Sequence, residues 1–316
     1  MAKKTIADKA LTLGQQQATR VLRQRDKALE QREEVLTERV QKEGLRSLAM
    51  LQPEAPAPAL VQAMGSLSNR GVLVAEGDSW FDYPWADIVG LLEDQHGYDV
   101  ESVAHKGDRV EAMAYSDGQL ANFTRRIEKL LRRNVVPRAI LLSGGGNDVA
   151  GDEFYMLLNH ASSATPGLNT AVVDGVIQER IKLAYISILS AVTQICQQRL
   201  NRTIPIVVHG YDYPVPDGRG FLGGWWILPG PWLAPGFEVK GYRNLADRKK
   251  IAKDLIDRFN VMLAEVAAMP AFHHVKYVDL RGSLSSGANY KKWWDNELHP
   301  TTAGFELITN RFAAVI

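Results

Sequence analysis

The sequence has a single cysteine, almost no net charge and no long apolar run. Because Cys196 stands alone, an internal disulfide and a zinc site built from several thiolates are both excluded. The 37 basic and 36 acidic residues give a net charge of +1, which provides no basic field for nucleic acid. No stretch reaches the roughly 18 apolar residues that a membrane-spanning helix needs, and residues 1–17 lack a signal-peptide apolar segment. We therefore expect a soluble, cytoplasmic protein without a nucleic-acid partner or a transmembrane segment.

The first 50 residues differ in composition from the rest of the chain. They contain 18 charged residues among strong helix formers, and Leu22, Leu29 and Leu36 recur at a spacing of seven. A coiled coil needs a second apolar position in each heptad beside these leucines. Charged residues occupy that position here, so the apolar seam is narrow. This helical extension is either an arm that forms a homo-oligomer or a solvated helix on its own domain. Three prolines within residues 51–60 predict an extended linker after it.

Residues 61–316 alternate between short β-branched runs and helical patterns, which is typical of βαβ units on a parallel sheet. The predicted strands are 71–75, 99–104, 139–143, 204–209 and 275–280. Helix patterns with one apolar face lie between them and indicate core packing. The sequence therefore predicts one α/β domain with about five parallel strands.

Two connections, near residues 150–169 and 210–242, are too long for simple crossovers. The second contains Trp225, Trp226 and Trp232 among closely spaced glycines and prolines, which exclude a regular helix. Because it follows a strand end, where open parallel sheets bind ligands, it is a candidate wall of a substrate site. The alternative is an apolar cluster that covers an edge of the sheet.

Polar loop motifs follow the first three predicted strands. The first strand runs into Gly77-Asp78-Ser79-Trp80, which places Ser79 before a predicted helix whose amino terminus favours developing negative charge. The second strand runs into Gly107 and the third into Gly144-Gly145-Gly146-Asn147-Asp148. An asparagine amide on a rigid turn is a neutral donor suited to an oxyanion. Asp78 and Asp148 are expected to satisfy loop backbone donors.

A fourth motif, His299-Pro300, follows the last strand and precedes the closing helix pattern. A histidine acts as a general base when a neighbouring group orients its far ring nitrogen. Asp295, Asn296 and Glu297 are the nearby candidates for that contact.

In their order along the chain, these four motifs resemble the four blocks of the SGNH or GDSL hydrolase superfamily over about residues 71–316. The resemblance implies a flavodoxin-like, three-layer α/β/α sandwich with esterase, lipase or deacetylase activity and neither metal nor organic cofactor. It implies that Ser79 is the nucleophile and His299 the general base. The N–H groups of Ser79 and Gly107 and the Asn147 amide would then hold the oxyanion.

One position departs from the family pattern, because the aspartate that is usual three residues before the histidine is replaced by Asn296. An asparagine accepts a hydrogen bond from the imidazole but does not stabilise the imidazolium as a carboxylate does. Either Asp295 contacts His299, or the site is a Ser-His dyad. We expect Asp295, because a carboxylate gives the larger electrostatic benefit.

The predicted function is hydrolysis of carboxylic esters through an acyl-enzyme, with a lipid or a small acyl or aryl ester as substrate. Trp80, Trp225, Trp226 and Trp232 are the predicted substrate-binding residues. The alternatives are a carbohydrate O-deacetylase and a sugar- or lipid-binding module of low activity on the same fold.

Overall fold

The computed structural model describes residues 5–47, 70–116, 118–223 and 228–316. Its central sheet has five parallel strands in the order β2-β1-β3-β4-β5. The strands are β1 (Val72–Glu76), β2 (Asp99–Ser102), β3 (Ala139–Leu142), β4 (Ile206–His209) and β5 (Val275–Val278). All five coincide with predicted strands, so the predicted parallel α/β architecture is confirmed. The central strands β3 and β4 are buried along their whole length, which explains their continuous apolar sequences.

Helices cover both faces of this sheet. The α-helices are α1 (Ile6–Ser47), α2 (Ile88–Asp94), α3 (Val110–Tyr115), α4 (Gln119–Leu131), α5 (Thr170–Asp174), α6 (Lys182–Leu200), α7 (Ala234–Val239), α8 (Leu245–Ala267) and α9 (Thr302–Ala313). A π-helical segment, Gly175–Ile181, leads into α6. Helices α2 and α9 pack together, whereas α6 contacts α3, α4 and α8. This arrangement agrees with the three-layer α/β/α sandwich that the resemblance implies.

The first half of α1 packs along α6 as part of the domain. Ala18 and Leu22 are buried in the common core, and a Cβ atom at Gly14 would lie 2.4 Å from the Ser187 carbonyl oxygen. Arg25 forms a 2.7 Å ion pair with Glu128, whose side chain is only 2% exposed. The first half of the predicted extension therefore lies on the α/β domain, with one face buried and the other exposed. Oligomerisation through α1 stays a prediction, and the predicted linker 51–60 lies outside the described residues.

The two long connections carry short elements of their own. The first contains the 3₁₀ segment Gly151–Leu157 and a short antiparallel pair, Leu158–Asn159 with Gly167–Leu168. The second contains the 3₁₀ segment Phe221–Gly223 and α7, and its residues 224–227 lie outside the described parts. Further 3₁₀ segments are Pro270–Phe272 and Tyr290–Lys292. None of the helices within the described ranges is long and apolar enough to cross a membrane.

Candidate active site

Ser79 lies in a tight turn at the carboxyl end of β1. A Cβ atom at Gly77 would lie 2.8 Å from the Phe81 ring and from Ser143 Cβ, so only glycine fits there. The buried Asp78 carboxylate accepts hydrogen bonds from the Trp80 N–H at 3.0 Å, from Ser143 Oγ at 2.8 Å and from the Tyr211 hydroxyl. As expected, Asp78 is thus a structural residue that fixes the turn presenting Ser79.

The helix predicted at about residues 85–92, after the short polar turn that follows Ser79, begins three residues later than predicted. It starts at Ile88, where the Asp87 side chain caps it by accepting a 2.7 Å hydrogen bond from the Gly90 N–H. Ser79 is therefore not at a helix amino terminus, and the expected help from a helix dipole is absent there. The Asp78 carboxylate holds the segment around Ser79 as a turn, and the Asp87 cap sets the start of the helix.

His299 meets Ser79 across 220 positions of sequence. Its Nε2 atom lies 2.7 Å from Ser79 Oγ, which is hydrogen-bonding distance. The loop that presents His299 is held by a β-bridge between Trp294 and Pro300, and Thr301 then caps α9. The strand end and the loop before the closing helix therefore bring the two predicted side chains together.

Asn296, and not Asp295, contacts the far ring nitrogen of His299. The Asn296 Oδ1 atom lies 3.0 Å from His299 Nδ1 and also accepts 3.0 Å hydrogen bonds from the N–H groups of Leu298 and His299. Because this oxygen accepts, Nδ1 carries the proton and Nε2 offers its lone pair to the Ser79 hydroxyl. This tautomer is the one that general-base chemistry needs.

The expected contact between Asp295 and His299 is not present. The Asp295 carboxylate instead accepts hydrogen bonds from the Tyr83 hydroxyl at 3.1 Å and from Asn296 Nδ2 at 3.2 Å. Glu297, the third candidate, points to a different loop. Asn296 rather than Asp295 makes this contact because the backbone N–H groups of Leu298 and His299 converge on the Asn296 side-chain oxygen.

The imidazole of His299 is shielded from water. It is 6% exposed, the Tyr83 ring stacks on it with centroids 4.2 Å apart, and the Trp232 ring contacts it edge-on at 5.6 Å. Burial lowers the pKa of His299 to about 3. The ring is therefore neutral, and able to accept a proton, throughout the neutral pH range.

The predicted oxyanion donors line the same cleft as Ser79 and His299. Among the described residues, the N–H groups of Ser79 and Gly107 have no hydrogen-bond acceptor. Asn147 Nδ2 donates one hydrogen to the Asp108 carbonyl at 2.9 Å, which leaves its second N–H available. Asp148 caps α3 by accepting from the Val110 N–H at 2.9 Å, as expected of a structural residue. Three donors are thus available beside the serine hydroxyl.

Two cavities meet at Ser79. The inner one, about 70 Å³, reaches between α8 and the segment after Asn147. Its apolar lining includes Val149, Phe154, Ile177, Leu233, Leu255 and Phe259. The outer cavity, about 330 Å³, is an open cleft whose walls include Tyr83, Phe221, Leu228 and Trp232. The site therefore offers a small apolar pocket on one side and an aromatic cleft on the other.

The four tryptophans predicted to bind substrate have different places. Trp232 lies in the wall of the outer cleft. Trp80 is buried, donates from Nε1 to the Leu298 carbonyl at 3.1 Å and lines the inner pocket. Trp225 and Trp226 lie outside the described residues. The sequence analysis did not name Tyr83 or Phe221; Phe221 lies within the long connection 210–242, whereas Tyr83 follows the first motif.

Glu297 links the long second connection to the loop that carries His299. This buried carboxylate accepts four backbone hydrogen bonds, from Gly218 and Ala234 at 3.0 Å and from Trp232 and Leu233 at 2.7 Å. Burial raises its pKa, and the four N–H donors act in the opposite direction. Trp232 therefore keeps its place in the cleft wall through Glu297, the residue that follows Asn296.

Replacing Glu297 with glutamine is expected to destabilise the protein by about 2–4 kcal/mol. The amide has one acceptor oxygen, so its NH₂ group would face two buried N–H donors that lose their partner. Urea unfolding followed by tryptophan fluorescence measures the change. The matched control is Glu238→Gln, whose side chain is 65% exposed, and a loss below about 0.5 kcal/mol is expected there. Equal stability of the two variants would contradict this role of Glu297.

No group of three or more histidine, cysteine, aspartate or glutamate side chains in the described parts of the chain could hold a metal ion.

Comparisons with known proteins point to one family. The family described as GDSL-like lipase/acylhydrolase matches residues 71–307. Among solved structures, the lipase Lip_vut3 from a goat rumen metagenome is similar at 15% identity and a TM-score of 0.44, covering 77% of this chain and 96% of that one. A carbohydrate esterase family 3 protein from Talaromyces cellulolyticus is similar at 11% identity and a TM-score of 0.39, covering 78% and 95%. The comparison with curated proteins finds no match.

Proposed function

Since the chain belongs to the GDSL-like lipase/acylhydrolase family, we propose that it hydrolyses carboxylic esters with Ser79 as nucleophile and His299 as general base. The observation that carries this proposal is the 2.7 Å contact between His299 Nε2 and Ser79 Oγ, with Asn296 holding the other ring nitrogen. A hydroxyl, an oriented neutral imidazole and free N–H donors in one cleft are what acyl transfer requires.

The proposed reaction has two steps. In the first, Ser79 Oγ bonds to the ester carbonyl carbon while its proton passes to His299 Nε2, and the alcohol then leaves with that proton. In the second, a water molecule attacks the acyl-serine ester and gives a proton to Nε2. The acid is released as Ser79 recovers its proton. The charge on the carbonyl oxygen would be held by the N–H groups of Ser79 and Gly107 and by the Asn147 amide.

The inner pocket favours a short acyl group. A space of about 70 Å³ accommodates about five to seven water-sized groups at ~10–15 Å³ each. Its lining is almost wholly apolar, which suits a hydrocarbon chain of a few carbons and disfavours a long lipid tail. We therefore assign the acyl side of the ester to this pocket and its alcohol side to the outer cleft.

A carbohydrate O-deacetylase is the second candidate. The observation in its favour is the combination of a small acyl pocket with an open cleft walled by Phe221 and Trp232, since aromatic rings stack on sugar faces as well as on aryl groups. Release of acetate from an acetylated oligosaccharide, compared with hydrolysis of nitrophenyl acetate, separates this candidate from a small aryl esterase.

A chain-length series of nitrophenyl esters tests the proposed function and the pocket assignment together. We expect kcat/KM to be highest for two- to four-carbon acyl groups and to fall by about 10-fold or more at eight carbons, because a longer chain would overpack the pocket. Undiminished activity on long chains would contradict the pocket assignment. Absence of hydrolysis of every ester, including acetylated sugars, would contradict the proposed function.

A substitution within the pocket provides the matched comparison. Ala252 lies on α8 in the pocket lining, whereas Ala246 lies exposed on the same helix. Ala252→Leu should shift the preference toward the shortest ester, since it fills part of the space. Ala246→Leu should leave the chain-length profile unchanged.

A further inference from the structure

Asp295, Asn296 and Tyr83 form a closed ring of hydrogen bonds behind His299. The Tyr83 hydroxyl donates to Asp295 Oδ2 at 3.1 Å, and Asn296 Nδ2 donates to the Tyr83 oxygen at 2.8 Å and to Asp295 Oδ2 at 3.2 Å. The Tyr83 ring also stacks on the imidazole. Every member of this ring therefore touches either His299 or the residue that holds it.

The surroundings of Asn296 permit only one orientation of its amide. The backbone N–H groups of Leu298 and His299 can only donate, so they require the oxygen on their side. The Asp295 carboxylate can only accept, so it requires the NH₂ group on the other side. The amide oxygen is therefore directed at His299 Nδ1 by groups on both sides.

We propose that Asp295 is a positioning residue that acts on His299 through the Asn296 amide, and that its charge takes the place of the carboxylate which a serine triad sets directly against the imidazole. This inference rests on the proposed function. Asp295 itself touches neither the imidazole nor the serine, and no proton moves along the chain of hydrogen bonds.

The physical basis is polarisation of a neutral amide by an adjacent negative charge. When His299 takes the serine proton it becomes a cation in a buried site, and burial disfavours that cation. A carboxylate on the NH₂ end of Asn296 increases the electron density at its oxygen, which strengthens the bond to the imidazolium. Because Asp295 is partly exposed and acts across one amide, its effect should be smaller than that of a direct contact.

Other charged or titratable groups also face the site. Those lining the two cavities are Asp78, Tyr83, Lys106, Tyr211 and Asp212. Asp78 already accepts a hydrogen bond from the Trp80 N–H of its own turn, and Asp212 accepts one from the Gly282 N–H in the segment after β5. Glu297 is turned to the second long connection. Asp295 is the carboxylate joined to His299 through Asn296 among the described residues.

The first test is Asp295→Asn, which preserves an acceptor oxygen for Asn296 and Tyr83 but removes the charge. We expect kcat on nitrophenyl acetate to fall by about 10-fold with KM unchanged, because the charge acts on the transition state. The matched control, Asp94→Asn, changes an exposed residue of α2 that lines neither cavity, and its kcat should stay within about twofold of wild type.

The second test moves the charge rather than removing it. In the double variant Asp295→Asn with Asn296→Asp, the carboxylate contacts His299 Nδ1 directly and residue 295 can donate to it. We expect kcat to recover at least to the wild-type value. We also expect the acid limb of kcat/KM to move to higher pH by about one unit or more, since a direct carboxylate raises the pKa of the imidazole.

The outcomes separate this inference from the proposed function. If Ser79→Ala hydrolyses the ester as fast as wild type, the proposed function fails. If Ser79→Ala is inactive while Asp295→Asn keeps wild-type kcat, the inference about Asp295 is wrong. A purely structural role would lower the melting temperature of Asp295→Asn without changing kcat per titrated active site, and that result would overturn the inference as well.

Discussion

Replacement of Ser79 by alanine is expected to lower kcat on a short-chain ester by about 10⁴- to 10⁶-fold. The variant keeps the turn held by Asp78 and the neutral His299, but it lacks the oxygen that would become acylated. The remaining oxyanion donors would leave only a weak rate above that of water. Steady-state hydrolysis of nitrophenyl acetate measures the loss.

The fold of this variant should be unaffected, since only a hydroxyl group is removed. Circular dichroism and thermal unfolding check this point. Ser163→Ala, the same change at an exposed loop serine, is the control and should keep full activity. Substantial hydrolysis by the Ser79→Ala protein would show that another group carries the reaction.

Asn147→Ala is expected to lower kcat by about 10²- to 10³-fold while KM changes little. The Asn147 amide has one N–H engaged with the Asp108 carbonyl and a second free to meet the developing oxyanion. Because that charge forms only in the transition state, loss of the donor lowers kcat and leaves KM nearly unchanged. The measurement is kcat and KM on nitrophenyl acetate for both proteins.

Because Asn147→Ala also removes the hydrogen bond to Asp108, the melting temperature is measured beside the kinetics. Asn310→Ala, at an exposed position of α9, controls for the substitution itself. A fall in kcat of less than about fivefold in a folded Asn147→Ala protein would remove Asn147 from the oxyanion site.

The sheet and the principal contact were predictable because they depend on strong local signals. Each strand is a short apolar run, and parallel strands end at one edge, so the loops after them meet. The serine and the histidine lie directly after such signals. Their contact therefore follows from topology, although the 2.7 Å distance does not.

The choice between Asp295 and Asn296 depended on loop geometry that spacing does not reveal. The charge argument favoured the carboxylate, but the N–H groups of residues 298 and 299 need an acceptor at position 296. The predicted start of α2 was wrong for a similar reason. The Asp87 cap determines where the helix begins, and the helix-forming residues before it do not.

Packing between segments that are distant in sequence was also not predictable from the sequence. The seven-residue leucine spacing in α1 did not show that Gly14 and Ala18 allow close approach to α6. Likewise, the inner pocket is formed by side chains from the π-helical segment and α8, which lie far from the motifs in sequence. Such features depend on which surfaces meet, which periodicity alone does not specify.

The most direct test of the central claim is covalent labelling with an alkyl fluorophosphonate, followed by peptide mass spectrometry. The account predicts one adduct per chain, on Ser79, together with loss of ester hydrolysis, and it predicts no adduct in His299→Ala because the base that activates the hydroxyl is missing. An actively hydrolysing preparation that takes no label, or takes it on a different residue, would contradict the account.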